Sequence, residues 1–503
     1  TRSLCDWSSD VCSSDLLLKY MEQDIQILIF IFAQLQRERY HWVNTHTGQT
    51  IYAFKFYSRF IKPLLFETID AYLRGLRIDL EATESYKLQL EADLSRLNEI
   101  FENRTGFEPN RIKSGKSAEE PFQAILSENI YNLLPRTPKG ALQLSFKSLN
   151  KFLKKNQLDI PELQTFIEIL KTRDQLRRFT KLLKSITNCN CKLPNTNRLF
   201  FSYDLYGAET GRITTRDYPI QGSPTAVKKQ ICPQSGNIFI VADVSQEEIR
   251  IIAEMSKDAS LLNVYKKKLD FHSYTGAILN TQAYNDFIKL QETDPDLFKT
   301  RRFLAKILNL GLQYGMGPKT LHKTLEMGGV YQPYKTTYKQ WNTWQKTYKG
   351  IVKYQQSMVN HLWKSKFKKH SIFASYKKNC KNYFYITSLL GRVKRDSALD
   401  KGWMSYDQFN NTKWFVNEYA NFPIQATGAD FLSIIWNKLS KQFKGVARIV
   451  MVVHDELVIE THPKNYDLVI EHLHQIEMDI TNKYLPNVGF EFSISQPLKY
   501  WFK

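Results

Sequence analysis

Residues 449–459 read Ile-Val-Met-Val-Val-His-Asp-Glu-Leu-Val-Ile. Two apolar runs, 449–453 and 457–459, enclose the polar break His454, Asp455 and Glu456. Such runs around a short polar break predict a buried β-hairpin with carboxylates at its tip. A further run, Ile-Phe-Ile-Val-Ala over 238–242, delivers Asp243. A carboxylate at the end of a buried strand costs free energy unless a partner compensates it. A divalent cation suits two such groups, and Mg²⁺ takes one or two carboxylates together with substrate phosphates. Asp243 and Asp455 are therefore candidate metal ligands, with Glu456 beside them. Two unrelated strand-end acids are the competing reading of the same residues.

Between these runs lies a cationic helix. Residues 299–317 place Arg302, Lys306, Leu310 and Tyr314 four apart. That spacing puts all four on one slowly drifting stripe. Two cations, an apolar group and an aromatic in that order suit a triphosphate, a sugar and a base. Phe303, Ile307 and Leu308 are expected to face the core. A solvated basic face is the ordinary alternative for a lone helix. Gly311 and Gly315 point to a bend or a close approach, since glycine costs about 1 kcal/mol inside a helix.

At these residues the chain resembles the family A DNA polymerases. The family's Asp-x-Ser-Gln-x-Glu-x-Arg stands here as Asp243, Ser245, Gln246, Glu248 and Arg250. Its Arg-x-x-x-Lys motif with a following Gly-x-x-Tyr-Gly stands as Arg302, Lys306, Gly311, Tyr314 and Gly315. Its Val-His-Asp-Glu is Val453 to Glu456. Thr210-Gly211-Arg212 with Gln221, and Asn421-Phe-Pro-Ile-Gln425, agree as well. The resemblance covers roughly residues 60–503. The chain departs from the pattern at Leu310, where the family has Phe or Tyr, and at Val244 and Glu247, where it has Tyr and Ile.

The resemblance implies an α+β, right-hand polymerase fold with an antiparallel-sheet palm, helical fingers and a helical thumb. It implies a DNA-templated DNA polymerase in replication or repair, acting on primer–template DNA and dNTPs with two Mg²⁺ ions. Asp243 and Asp455 are then the metal ligands, and Glu456 is the third acid of the catalytic set. Gln246, Glu248, His272, Arg302, Lys306, Leu310 and Tyr314 are implied dNTP contacts, with Glu248 excluding a ribose 2′-hydroxyl. His272 stands in Asp270-Phe-His272, similar to a family Asp-x-His. Arg212, Asn421, Gln425 and His454 are implied DNA contacts in the minor groove, where they sense pair geometry without reading sequence. A single-subunit RNA polymerase and a catalytically silent nucleic-acid-binding protein are the alternatives. Glu248 argues against the first and the full set of acids against the second.

The organisation expected along 503 residues follows the same resemblance. Residues 1–17 look like a non-native scar, and 18–59 like a remnant of a 3′→5′ exonuclease domain and linker, with Tyr20 and Asp24 as its last motif. Residues 60–195 are expected to form the thumb, 196–265 and 386–503 the palm, and 266–385 the fingers. Asn410 and Asn411 fall in a polar loop.

The net charge of +20 points to a polyanionic partner, nucleic acid first. No window holds about 18 consecutive apolar residues, so no membrane span is expected. Six cysteines in a chain this long form no disulfide framework, and Cys189-Asn-Cys191 lacks a second zinc pair. Reduced thiols in a cytoplasmic, monomeric protein are the expectation. No Gly-x-x-x-x-Gly-Lys-Ser/Thr is present, which argues against a P-loop motor.

Overall fold

The computed structural model describes residues 41–43, 46–47, 49–52, 56–112, 116–190, 197–205, 207–367, 383–397 and 413–502. Tyr20, Asp24, the expected scar, Cys5, Cys12, Cys191, Cys380 and the loop at Asn410 and Asn411 lie outside these residues.

Two long helices dominate the N-terminal part of the described residues, α1 (Leu80–Thr105) and α2 (Pro161–Asn190). Asp79 caps α1 by accepting a hydrogen bond from Ala82 N, and Gly106 ends it in the left-handed region at φ 73°. A separate core fills this part of the molecule, with Phe101, Phe122 and Phe166 among its buried residues.

The central sheet has four strands, β1 (Ile238–Val244), β2 (Ala447–Val453), β3 (Glu456–Thr461) and β4 (Phe492–Ile494). Their order is β2-β3-β1-β4, all antiparallel. Strand β1 is buried on both faces. Ile240, Ala242 and Val244 enter one core, and Phe239 and Val241 enter another that includes Leu90 of α1 and Phe179 of α2. Two-sided burial explains the unbroken apolar runs, because a half-exposed strand would alternate. Strand β3 repeats the pattern, with Leu457 and Ile459 on the first side and Val458 on the second.

The helices that carry other candidate site residues are α3 (Glu247–Ser256), α4 (Phe271–Leu279), α5 (Pro295–Leu312) and α6 (Lys413–Gln442). Helix α5 starts where Asp294 accepts from Leu297 N, with Pro295 in the first turn. It stops at Leu312, and Gly315 takes φ 73° just beyond. Tyr314 therefore lies past the helix end and not within it. Buried Asn309 joins α5 to its neighbours, accepting from Thr275 of α4 at 3.1 Å and from Trp344 Nε1 at 2.8 Å.

The expectation for Phe303 is corrected here. Leu308 is buried and Ile307 half-buried, but Phe303 is 45% exposed. Its ring lies over Gly328, where an added Cβ would meet it at 3.4 Å, so it roofs a groove and does not enter the core. Among the described residues no helix is long and apolar enough to cross a membrane.

Candidate active site

The hairpin expected from residues 449–459 is present. His454 and Asp455 form its turn, and His454 is exposed with φ 56°. Glu456 pairs in register with Asp243 on the adjacent strand. Val244 N donates to the Asp455 carbonyl at 3.1 Å, so the turn is stitched to the end of β1. Asp243 and Asp455 are thereby brought to one end of the sheet, both half-buried. Glu456 accepts from Trp501 Nε1 at 2.8 Å and faces Lys228 Nζ at 3.8 Å.

Helix α3 begins one residue beyond Gln246, which itself takes the left-handed conformation. The Tyr265 hydroxyl donates to Gln246 Oε1 at 3.2 Å. Glu248 accepts from both Arg212 Nη2 and the Tyr314 hydroxyl. One side chain of α3 thus ties the Thr-Gly-Arg loop to the end of the cationic helix. Arg250 is buried and structural. It donates to the carbonyls of Ser245 and Val488 and pairs with Glu491 at 2.6 Å.

Glu247 is the acid that the motif pattern leaves without a role. It is buried, and burial pushes its carboxyl up to about 8, with Asp455, Glu248 and Asp243 adding to the rise and Arg212 opposing it. The negative potential at this spot is what a pair of hard oxygen ligands for a divalent cation would create. Among the described residues no cluster of three or more His, Cys, Asp or Glu is arranged to hold a metal. Two carboxylates completed by phosphate and water oxygens fit that donor set, as Mg²⁺ sites commonly are.

The cationic helix presents a groove of about 830 Å³ lined by Asp270, Ser273, Phe298, Arg302, Phe303 and Lys306 among others. Lys306 is exposed, and Leu310 is 40% exposed on the same stripe. Arg302 forks onto Asp270, with Nε to Oδ2 at 3.1 Å and Nη2 to Oδ1 at 2.9 Å. Burial would raise the Asp270 carboxyl, but Arg302 and Ser273 hold it below its usual range. His272 is only 6% exposed, and its Nδ1 faces Asn309 Nδ2 at 3.1 Å. Burial lowers its ring to about 4, and Arg302 and Lys306 push the same way against Asp270. His272 therefore offers a neutral ring at pH 7.

On the other side, Gln221 donates to the carbonyls of Ile213 and Val452 at 3.0 and 3.1 Å. Asn421 and Gln425 stand one helical turn apart on α6. Asn421 Oδ1 is buried with no partner among the described residues.

Residues 80–499 match the profile of DNA polymerase family A. The chain belongs to DNA polymerase family A. Its reaction class is DNA-directed synthesis of DNA, and family A polymerases use divalent metal ions. The polymerase is 26% identical over 478 residues to DNA polymerase I of Aquifex aeolicus, covering 93% of this chain and 72% of that protein. It is 27% identical to DNA polymerase I of Borreliella burgdorferi, covering 65% of this chain and 34% of that one. It is 23% identical to the Synechocystis DNA polymerase I over 78% of this chain and 37% of its relative. It spans well under two thirds of the latter two. Among solved structures, the POL domain of Pol1 from M. smegmatis in complex with DNA primer-template and dNTP superposes with a TM-score of 0.68. That match is at 20% identity and covers 88% of this chain and 70% of that one.

Three groups that touch the polymerase's site lay outside the motif reading. Asp270 had a signal, its place two residues before His272 in the quoted motif. Lys228 carried no signal, and Glu247 showed only as a departure from pattern. A polar stretch gives no hint that one of its acids is buried.

Proposed function

We propose that this chain extends a DNA primer 3′ end with dNTPs at the junction of Asp243, Asp455 and helix α5. The observation that carries the reading is the hydrogen bond from Tyr314 to Glu248. It sets the end of the cationic helix beside the strand end that bears Asp243. In this reading residues 60–195 are the thumb, 196–265 and 386–503 the palm, and 266–385 the fingers.

Asp243 and Asp455 are the ligands for two Mg²⁺ ions, which when bound supply charge stabilisation to the attacking and leaving oxygens. The chain's own groups do the rest by positioning, since phosphoryl transfer leaves a protein little covalent work. Lys306 and Arg302 bind the triphosphate along the open groove. Gln246 and neutral His272 act from the side, by hydrogen bonding. Leu310 lies under the sugar and Tyr314 near the templating base. Glu248, held by Arg212 and Tyr314, meets a ribose 2′-hydroxyl and excludes it by clash. Glu456, anchored by Trp501 and Lys228, supports the hairpin tip. Arg212, Asn421, Gln425 and His454 face the primer–template duplex.

Extension of a labelled primer on a DNA template, with dNTPs or rNTPs, tests the proposal. Templated addition of dNTPs far above rNTPs is expected. Efficient rNTP addition would make the chain an RNA polymerase, and no addition with intact DNA binding would make it a silent binder.

A further inference from the structure

Arg392 is a half-buried cation with three different neighbours. Its Nε donates to Asp430 Oδ1 at 2.8 Å. The Phe56 ring lies against the guanidinium, 5.4 Å from Cζ. Gly211 passes so close that a Cβ there would stand 2.3 Å from Arg392 Cζ. Asp430 is wholly buried in α6, and its other oxygen accepts from Ser388 Oγ at 2.6 Å. Ser388 Oγ in turn accepts from the backbone N–H of Arg392 at 2.9 Å. The same loop is clamped a second time, because buried Lys394 pairs with Glu209 and, at 2.7 Å, with Glu418.

This network reaches toward the site through Gly211. Gly211 holds φ 80°, a conformation that side chains rarely adopt, and the next residue is Arg212. Arg212 and Glu248 are both partly exposed. A pair of that kind holds its geometry weakly, because long side chains lose entropy on fixing. The Tyr314 hydroxyl steadies Glu248 from one side, and the floor beneath Gly211 steadies Arg212 from the other. A planar guanidinium can lie flat between a glycine backbone and an aromatic ring, and a lysine ammonium cannot.

We infer that Arg392 and Asp430 are positioning residues for sugar selection, holding the Gly211 backbone so that Arg212 keeps Glu248 aimed at the ribose. The inference rests on the proposed role of Glu248. It assigns to Arg392 and Asp430 an effect on the choice between dNTP and rNTP that exceeds any effect on dNTP addition itself.

The experiment is single-nucleotide incorporation of dNTP and rNTP by wild type, Arg392→Lys, Asp430→Asn, Glu248→Ala and the Arg392→Lys/Glu248→Ala double variant, with primer–template affinity measured alongside. Arg392→Lys keeps a cation beside Asp430, so the test survives if Asp430→Asn fails to fold. Each network variant is expected to lower the dNTP/rNTP ratio of kcat/KM about tenfold, with dNTP kcat/KM changed less than about threefold. The double variant should match Glu248→Ala alone, since both act through one group. If Glu248→Ala lowers the ratio and Arg392→Lys does not, the inference is wrong and the Glu248 gate stands. Additive effects in the double variant would also overturn it. If Glu248→Ala leaves the ratio unchanged, the gate reading fails and the inference falls with it.

Discussion

The carboxyl of Glu247 lies against Gly428 of helix α6, where a Cβ would stand 2.5 Å from Glu247 Oε2. A side chain at position 428 would displace the acid, so the glycine leaves the only room that this rotamer uses. The acid is buried within the field of Asp455, Glu248 and Asp243.

Glu247 makes stability depend on pH with a definite sign. Its native value is pushed up from 4.5 to about 8, so the folded chain holds this proton more tightly than the unfolded one. The contribution is fully present below about 4.5 and is lost as pH rises through about 8. Glu247→Gln should therefore gain stability over wild type as pH climbs, on the order of 3 kcal/mol by pH 8.5. Urea unfolding of both proteins at pH 5 and 8.5, without divalent metal, reads this out. Equal pH slopes in the two would mean that the acid is not buried in solution.

Removal of either metal-side carboxylate should separate chemistry from binding. Asp243→Ala and Asp455→Ala are each expected to lower the extension rate by at least about 10³-fold. Duplex affinity, measured by anisotropy, should stay within a few-fold of wild type. Near-normal extension by either variant would remove the two-carboxylate assignment.

Leu310 offers an aliphatic surface on the stripe that begins with Arg302. A Tyr hydroxyl there would supply a polar substitute for the 3′-hydroxyl that a dideoxy sugar lacks. Leu310→Tyr should raise the ddNTP/dNTP incorporation ratio about tenfold, the worth of one hydrogen bond. An unchanged ratio would show that the stripe does not face the sugar.

The α2 stripe of Arg173, Arg177, Lys181 and Lys184 lines a basic groove. Arg177 is held by Asp174 at 2.5 Å, and Arg173 bonds Asn110 at 2.7 Å. Lys181 lies over the Tyr218 ring at 5.9 Å, a contact that leaves its charge open to a phosphate, as does the position of Lys184 in the groove. Lys181→Ala/Lys184→Ala should weaken primer–template binding and flatten its log–log salt dependence by about 2. A slope equal to wild type would place the duplex elsewhere.

The sheet was legible because two-sided burial leaves a distinct mark, two apolar runs that break only at the acids. The stripe of Arg302, Lys306 and Leu310 was legible because a period of four has few other causes. Phe303 was not, since an aromatic one residue from a cation reads as core, and the groove beside it is lined by residues distant in sequence such as Asp270 and Ser273. Tyr314 kept the period although the helix had ended, because a turn continues the coil past Leu312, with Tyr314 N donating to the Gly311 carbonyl at 3.2 Å. The Arg302–Asp270 and Arg392–Asp430 pairs are separated by 32 and 38 residues, and no local pattern announces either.

Arg302 already carries an anion before any nucleotide arrives. In the proposed reading Asp270 occupies the guanidinium face that a phosphate would take, and it also caps α4 through Ser273 N at 2.8 Å. On that reading an incoming triphosphate would swap places with a tethered carboxylate. The net gain is a difference between two anions, smaller than a bare arginine would give. The same exchange run backwards would help to eject pyrophosphate, because the tethered acid would return at high local concentration. Asp270→Asn preserves a cap of similar strength and removes the charge. It should tighten pyrophosphate inhibition and slow turnover in steady state, and unchanged pyrophosphate inhibition would show that Asp270 plays no part in product release. An acid that never touches the reacting atoms would then set part of the turnover rate.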